Sequence, residues 1–531
     1  MSKLEVPATP LESIPKIASS LRHTFASNKT KPLEYRLTQL RKLYWAIDDN
    51  KAAIAEACMK DLGKGEFETY LTESGWCLND IIFVQRNLAK WAKEESAPDI
   101  PLMNKAMSPK IRKDPLGAVL IIGTYNFPIQ LTIGPLIGAI AAGCTVLLKP
   151  SEAAPAAAAV VQKIVEAALD PSAYAIVQGA VPETTALLDE KWDKIFYTGG
   201  AAVAKIISKK AAETLTPVTL ELGGKNPAII TKNADVRLAA RRLLWGKTVN
   251  AGQVCVSQNY ILIDKEVLPG FLDQMAAAIK EFYPNGVQKS PDYGRIIHAR
   301  QFQRIKKMLD ESAGKILLGG EMDEADRFIA PTVVQVENEH DSLLADESFG
   351  PIIPILPVPD LDTAIRIAND VSGTPLGLYP FGNKKETARV LNETRSGGAT
   401  VNDAFFHASI PTLAFGGVGE SGQGAYRGQA SFETFTHRRS IVTTPNWIEG
   451  LLSVRYPPFA GTGKMKQFRA MNDMKPDFDR NGKKTPAGII RWVLTLGGKS
   501  AGRGLIRWVV LALSIAGYQR YTGKEITSLF R

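Results

Sequence analysis

Alternating strand and helix patterns between Pro115 and Glu221 predict an α/β fold built on a parallel sheet. A second α/β unit follows over about Leu222 to Ala408. At 531 residues the chain is longer than one hydrophobic core usually organises, so two or three domains are expected. Its 45% apolar content is that of a globular protein, and no solenoid repeat or low-complexity array interrupts it.

From Glu34 to Leu62 the chain reads as an amphipathic helical region, with Leu37, Leu40, Tyr44 and Ile47 on one face. Ala118 to Ile122 is short, β-branched and bounded by glycines, the pattern of a buried parallel strand. Asn126, in the run Gly123-Thr124-Tyr125-Asn126-Phe127-Pro128, therefore sits just past a strand's carboxyl end, where open α/β sheets place ligands. Its amide suits a developing oxyanion, although an Asn before Phe-Pro is commonly a turn residue. Thr145-Val146-Leu147-Leu148-Lys149-Pro150-Ser151-Glu152 follows as a second strand ending in polar groups. Lys149 and Glu152 suit ribose hydroxyls or, equally, a solvated strand end. The following helix pattern covers Ala153 to Ala168 and starts near Pro155, since proline favours a first turn. A further helix pattern covers Ala201 to Glu213.

Two runs carry chemistry: Glu221-Leu222-Gly223-Gly224-Lys225-Asn226-Pro227 and Gly252-Gln253-Val254-Cys255. One supplies a carboxylate beside glycines that permit close approach, the other a thiol. A thiolate is a strong nucleophile, and a carboxylate can activate water for a later step. A lone cysteine is more often a small buried hydrophobe, so the assignment depends on the rest of the chain.

Those runs, with Lys149-Pro150-Ser151-Glu152, Thr198-Gly199-Gly200, Glu347-Ser348-Phe349-Gly350-Pro351, Asn402 and the glycine-rich Pro411 to Gly424, occur in the order of the aldehyde dehydrogenase superfamily. The resemblance covers roughly Pro32 to Arg439. The ending Phe432-Glu433-Thr434-Phe435-Thr436-His437-Arg438-Arg439 resembles the class 3 branch, which includes fatty aldehyde dehydrogenases and fungal enzymes for fatty aldehydes or apocarotenals. It implies a Rossmann-like NAD-binding domain over residues 1–221 with a bridging segment near 94–116. A catalytic domain over 222–408, a small bridging and oligomerisation β element over 409–445 and a tail over 446–531 complete the organisation.

The resemblance also implies roles. Cys255 attacks the aldehyde, the Asn126 amide and the Cys255 N–H hold the oxyanion, and Glu221 activates water to hydrolyse the thioester. Lys149 and Glu152 would bind the adenosine ribose and Glu347 the nicotinamide ribose, with Phe349 beside the ring and Thr198, Gly199 and Gly200 also binding the cofactor. A carboxylate near the ribose 2′-hydroxyl favours NAD, with NADP possible. No Gly-x-Gly-x-x-Gly fingerprint occurs at the expected strand-to-helix turn, which argues against an ordinary Rossmann reductase. Two departures from the family pattern are Ala204, where a second glycine is usual, and Val256-Ser257-Gln258-Asn259-Tyr260, where class 3 enzymes commonly carry Pro-Asp before a Tyr.

Cys58, Cys77, Cys144 and Cys255 show no metal-ligand spacing, so no metal is expected, and without a secretory leader they indicate a reducing compartment. The N-terminus, with Glu5, Glu12 and several prolines, reads as neither a secretory signal nor a transit peptide. From Leu451 onward there are 15 Lys and Arg against 4 Asp and Glu, a net of +11 in a chain whose total is +10. The basic character is therefore the tail's alone. Two apolar segments, Ala487 to Leu496 and Trp508 to Tyr518, flank the basic stretch Gly497 to Gly504, with Arg491, Trp492, Arg507 and Arg520 at or near their edges. Neither reaches the ~20 residues needed to cross a bilayer. Basic flanks and edge aromatics suit a monotopic or re-entrant anchor on a cytosol-facing membrane; packing on the body or across a dimer is the alternative. Nucleic-acid binding is disfavoured because no recognised motif accompanies the charge.

The expectation is thus NAD-dependent oxidation of a long apolar aldehyde, fatty or apocarotenal, to its acid, in a membrane-associated homodimer. Short or aromatic aldehydes, or a non-catalytic scaffold on the same fold, are the alternatives.

Overall fold

The computed structural model describes residues 6–474, 476–484 and 501–522. The chain divides into two compact units, Met1–Ala97 with Lys110–Ile441, and Pro98–Pro109 with Val442–Arg531.

The first unit is organised by two sheets. One has six strands in the spatial order Gly422–Gln423, Val218–Glu221, Lys194–Thr198, Ala118–Ile122, Thr145–Lys149 and Tyr174–Ile176. All neighbours are parallel except Gly422–Gln423, which pairs antiparallel with Val218–Glu221. Every residue of the three strands Lys194–Thr198, Ala118–Ile122 and Thr145–Lys149 is buried, as β-branched runs covered by helices on both faces require. The second sheet has the order Lys315–Leu318, Thr332–Gln335, Ile352–Val358, Tyr260–Asp264, Pro227–Ile230, Gly377–Phe381 and Gly398–Ala399. Only its first pair is antiparallel. A third, antiparallel sheet joins Glu95–Ser96, Lys110–Pro115 and Thr436–Ile441, with the last strand at its edge.

Helix Gln130–Ala142 follows the Asn126 run, and all 13 of its residues are buried. Helix Gln429–Thr434 packs on it so closely that a Cβ on Gly138 would stand 2.8 Å from both the Cβ and the carbonyl oxygen of Ser431. Pro155–Ala168 and Ala201–Glu213 complete the crossovers. The first begins at the proline, two residues later than the start of its sequence pattern.

The amphipathic region expected from Glu34 to Leu62 is two helices, Leu33–Asp49 and Lys51–Leu62. Asn50 separates them with φ −106°, and its side-chain amide donates to the Ala46 carbonyl at 2.8 Å, competing locally with continued helix. Leu40 and Ile47 enter the core with Leu43, whereas Leu37 and Tyr44 are half-buried against it.

In the second unit the Thr443 N–H donates to the Met107 carbonyl at 2.9 Å. Helices Glu449–Leu452 and Lys464–Asn472 follow, then the 22-residue helix Ala501–Thr522. That helix contains the expected Trp508 to Tyr518 segment; the Ala487 to Leu496 segment lies outside the described residues. No described helix is long and apolar enough to cross a membrane.

Gly138→Ala forces the two helices apart. Overpacking of this kind costs roughly 1–3 kcal/mol, more than the helix propensity it gains. Differential scanning calorimetry is expected to show an earlier unfolding transition, and an unchanged one would mean that the contact yields freely.

Candidate active site

The carboxyl edge of the first sheet collects most of the polar residues singled out by sequence. Lys149, Thr198 and Glu221 are each the last residue of their strand, and Asn126 follows Ile122 by four residues. The register aligns Ile122 with Lys149 and Thr198 with Glu221. Because parallel strands end in step, one edge presents all four positions. Three strand spacings of ~4.8 Å separate the Lys149 and Glu221 strands, about 14 Å along that edge.

Cys255 comes from the other α/β unit, on the loop between helix Val236–Thr248 and strand Tyr260–Asp264. That loop carries backbone strain: Asn250 and Ala251 have φ of 52° and 50°, unfavourable for residues with a Cβ. Buried side-chain bonds hold the conformation. Asn250 Nδ2 donates to the carbonyls of Asn126 at 2.7 Å and Gln253 at 3.1 Å, and its N–H donates to Glu68 Oε1 at 2.7 Å. Gln253 ties the loop to the Arg295 carbonyl and the Ile297 N–H. Asn226 donates to the carbonyls of Cys255 and Ser257, both at 2.8 Å, and accepts from the Gly377 N–H. Tyr379 donates its hydroxyl to the Val256 carbonyl.

The Asn126 loop is fixed from beneath. Lys64 and Glu73 form a fully buried ion pair at 2.7 Å. Glu73 accepts from the N–H groups of Ile129 and Gln130 at the start of the buried helix, and Lys64 donates to the Asn126 carbonyl at 3.3 Å. The Asn126 amide donates to the Gln253 carbonyl at 3.0 Å, which uses one of its two hydrogens. Asn126 and the Cys255 loop are thereby bonded to each other.

Electrostatics couple the thiol to two carboxylates. Burial pushes the Cys255 thiol up to about 12, Glu347 and then Glu221 add to this, and the N–H groups of Val256 and Cys255 pull it down. Burial alone holds Glu221 well above the usual carboxylate range, and neither carboxylate oxygen has a hydrogen-bond partner among the described residues. Glu347 is pushed up to about 8 by burial, tempered by Lys247 and the Gly224 N–H. Lys247 is itself pushed down to about 7 by burial, with Glu347 drawing it up. At neutral pH the resting thiol is protonated.

The strand edge fits a dinucleotide. Lys149 bonds Glu152 at 2.5 Å, with the carboxylate half exposed. Thr198 is buried, and its hydroxyl has no partner among the described residues. Gly199 leads into Gly200, the N-cap of helix Ala201–Glu213; a Cβ built on Gly200 would meet no atom within 4 Å, so a phosphate can approach the first-turn N–H groups. Ala204 packs into the adjoining core, so its methyl group stays clear of that approach. A Cβ on Gly223 would collide with the Glu347 carboxylate, which explains the glycine there. Arg304 holds the carbonyls of Glu347 at 3.0 Å and Ser348 at 2.5 Å. Phe349 has φ 47°, and its ring stands edge-on to Tyr125 at 6.1 Å.

Cys255 lines an inner cavity of about 90 Å³ with Phe127, Leu131, Val254 and Phe415, and a larger outer cavity of about 500 Å³ adjoins it. Sequence reading missed Lys64, Glu73, Asn226, Asn250 and Gln253. Asn226 and Gln253 stand inside the recognised runs and could have been suspected from that placement. Lys64 and Glu73 carry no local signal, since only the fold buries them.

The model of the aldehyde dehydrogenase family matches residues 4–441. The chain is 53% identical to a β-apo-4′-carotenal oxygenase of Neurospora crassa, over 91% of each protein. It is 42% identical to the dimeric NADP-preferring aldehyde dehydrogenase of Mus musculus, over 84% of this chain and 98% of that one. The structure of Staphylococcus aureus AldH in a substrate-bound state superposes with a TM-score of 0.83 at 38% identity, covering 86% of this chain and 99% of that one.

With the resting thiol protonated, alkylation of Cys255 by iodoacetamide is expected to accelerate about tenfold per pH unit from pH 7 to pH 10, without a plateau. Peptide mapping by mass spectrometry follows this site separately from the buried Cys58, Cys77 and Cys144. A plateau near pH 8 would contradict the effect of burial.

Proposed function

Since the chain belongs to the aldehyde dehydrogenase family and is an NAD(P)-dependent enzyme of that class, we propose that it oxidises a long apolar aldehyde to the carboxylic acid through a thioester on Cys255. The observation that carries this reading is the apolar, aromatic-walled pair of cavities that ends at that thiol. The name of the Neurospora relative, a carotenal oxygenase, supports the same substrate class.

In this mechanism the Cys255 thiol gives its proton to water, the resulting thiolate adds to the aldehyde carbon, and the carbonyl π pair moves to oxygen. The second Asn126 amide hydrogen and the Cys255 N–H receive that oxyanion. When bound, the nicotinamide supplies the hydride acceptor that turns the adduct into a thioester. Glu221, with no partner for either oxygen among the described residues, takes a proton from water as it attacks the thioester carbon and passes it to the departing Cys255 sulfur. Acid is released and the thiol restored. Lys149 and Glu152 would hold the adenosine ribose, Thr198, Gly199 and Gly200 would accommodate the phosphates, and Glu347 would hold the nicotinamide ribose. The exposed Glu152 carboxylate opposes a 2′-phosphate, favouring NAD over NADP.

The strand Thr436–Ile441 leaves one edge open for a second copy, consistent with a homodimer. The tail is proposed to rest on a cytosol-facing membrane. Its helix Ala501–Thr522 holds no acidic residue, contains Arg503, Arg507 and Arg520, and exposes Leu505, Ile506, Val509, Val510 and Leu513.

NADH formation by the full-length protein in detergent, with hexadecanal as substrate, tests the chemistry. Cys255→Ser is expected to abolish turnover, and Asn126→Ala to slow thioester formation by roughly 10²–10³. Glu221→Gln should release one equivalent of NADH per site and then stall. Steady wild-type turnover by Glu221→Gln would remove it as the base.

Truncation after Pro445 is expected to move the enzyme from the membrane pellet to the supernatant without detergent. Unchanged sedimentation with membranes would place the anchor elsewhere.

A further inference from the structure

Thr72, Trp76, Val249, Phe405 and Arg427 line both cavities. The two cavities therefore adjoin, and these five residues form the neck at which they meet. Arg427 is the anomaly among them. The guanidinium is buried, and burial pulls it below its usual range while Asp80 draws it back. The ion pair with Asp80 joins residues 347 apart in sequence. Arg427 Nη2 also donates to the Ser409 carbonyl at 3.0 Å, and the guanidinium carbon lies 4.2 Å from the centroid of the Trp76 ring. The backbone at Arg427 has φ 89°, a conformation that residues with side chains rarely adopt. Its Nε–H has no hydrogen-bond partner among the described residues. Nothing in the oxidation mechanism uses this group.

The walls beyond the neck are aromatic. Tyr70, Trp245 and Phe406 line the outer cavity. Trp245 stands 5.1 Å from Phe405 and 6.4 Å from Phe406, inclined by 31° and 38°.

We propose that Arg427, clamped by Asp80 and stacked on Trp76, is a specificity-determining residue that makes the neck favour aldehydes with a conjugated chain over saturated ones. The inference rests on the long apolar aldehyde reading and deepens it. A conjugated chain is stiff, so threading it through a neck freezes few rotors. Its π face gains from aromatic walls and from a planar cation. A saturated chain loses rotor freedom and has no π face to set against those walls. Asp80 neutralises the guanidinium, so the neck is not an anion site. Asp80 itself is pushed up to about 6 by burial, with Arg427 and the Trp76 indole drawing it down.

The test compares kcat/KM for all-trans-retinal and hexadecanal in the full-length enzyme, in wild type, Trp76→Leu and Arg427→Lys. The wild type is expected to prefer retinal. Both variants should lower the retinal-to-hexadecanal ratio about tenfold, chiefly through KM. Lysine keeps the charge but loses the planar stack, so it should not restore the preference. Trp76→Leu removes the stack while leaving the Asp80 pair intact, which keeps the test decisive if Arg427→Lys folds poorly. Absence of a wild-type preference, or a ratio unmoved by Trp76→Leu, overturns the neck assignment while hexadecanal oxidation leaves the long-aldehyde reading standing. Oxidation of short aldehydes alone overturns both.

Discussion

The buried Lys64–Glu73 pair is the interaction on which the candidate site hangs. A fully desolvated ion pair is costly unless its remaining donors and acceptors are also used, and here they are. Glu73 caps the wholly buried helix that follows Asn126. Lys64 holds the Asn126 carbonyl and lies over the Phe127 ring at 4.4 Å. Asn250 then grips the same Asn126 carbonyl from the loop of Cys255. One charged pair near the N-terminal helices therefore sets the Asn126 loop, and through it the loop that carries the thiol.

Opposing constraints meet at that thiol. Burial and two neighbouring carboxylates keep it protonated at rest, while strained backbone before it fixes its position. Such positions persist only where surrounding bonds over-determine them. Asn226, Asn250 and Gln253 supply those bonds through side-chain amides, which donate and accept without adding charge beside Glu221 and Glu347.

Much of this was legible in the sequence, for physical reasons specific to each element. The strand Ala118–Ile122 and the helix Ala201–Glu213 have the bounds expected of them, because β-branched runs and helical periodicity act locally. The break at Asn50 was not visible, since a single Asn in a periodic stretch is compatible with continued helix. Cys255, Glu221 and Asn126 stood out through their neighbours. Lys64, Glu73, Asp80 and Arg427 did not, because a charged residue reads as solvated surface until a tertiary contact buries it. The Asp80–Arg427 pair lies beyond any local pattern, and the tail's helix could be placed only as an apolar segment with basic ends.

The apolar lining of the inner cavity bears also on how a cycle ends. A neutral aldehyde gains by leaving water for walls such as Phe127, Leu131, Val254 and Phe415. The carboxylate that hydrolysis leaves in its place carries a charge that those walls do not solvate, and it stands beside Glu221 and Glu347. The same lining that draws the reactant inward thus opposes retention of the acid.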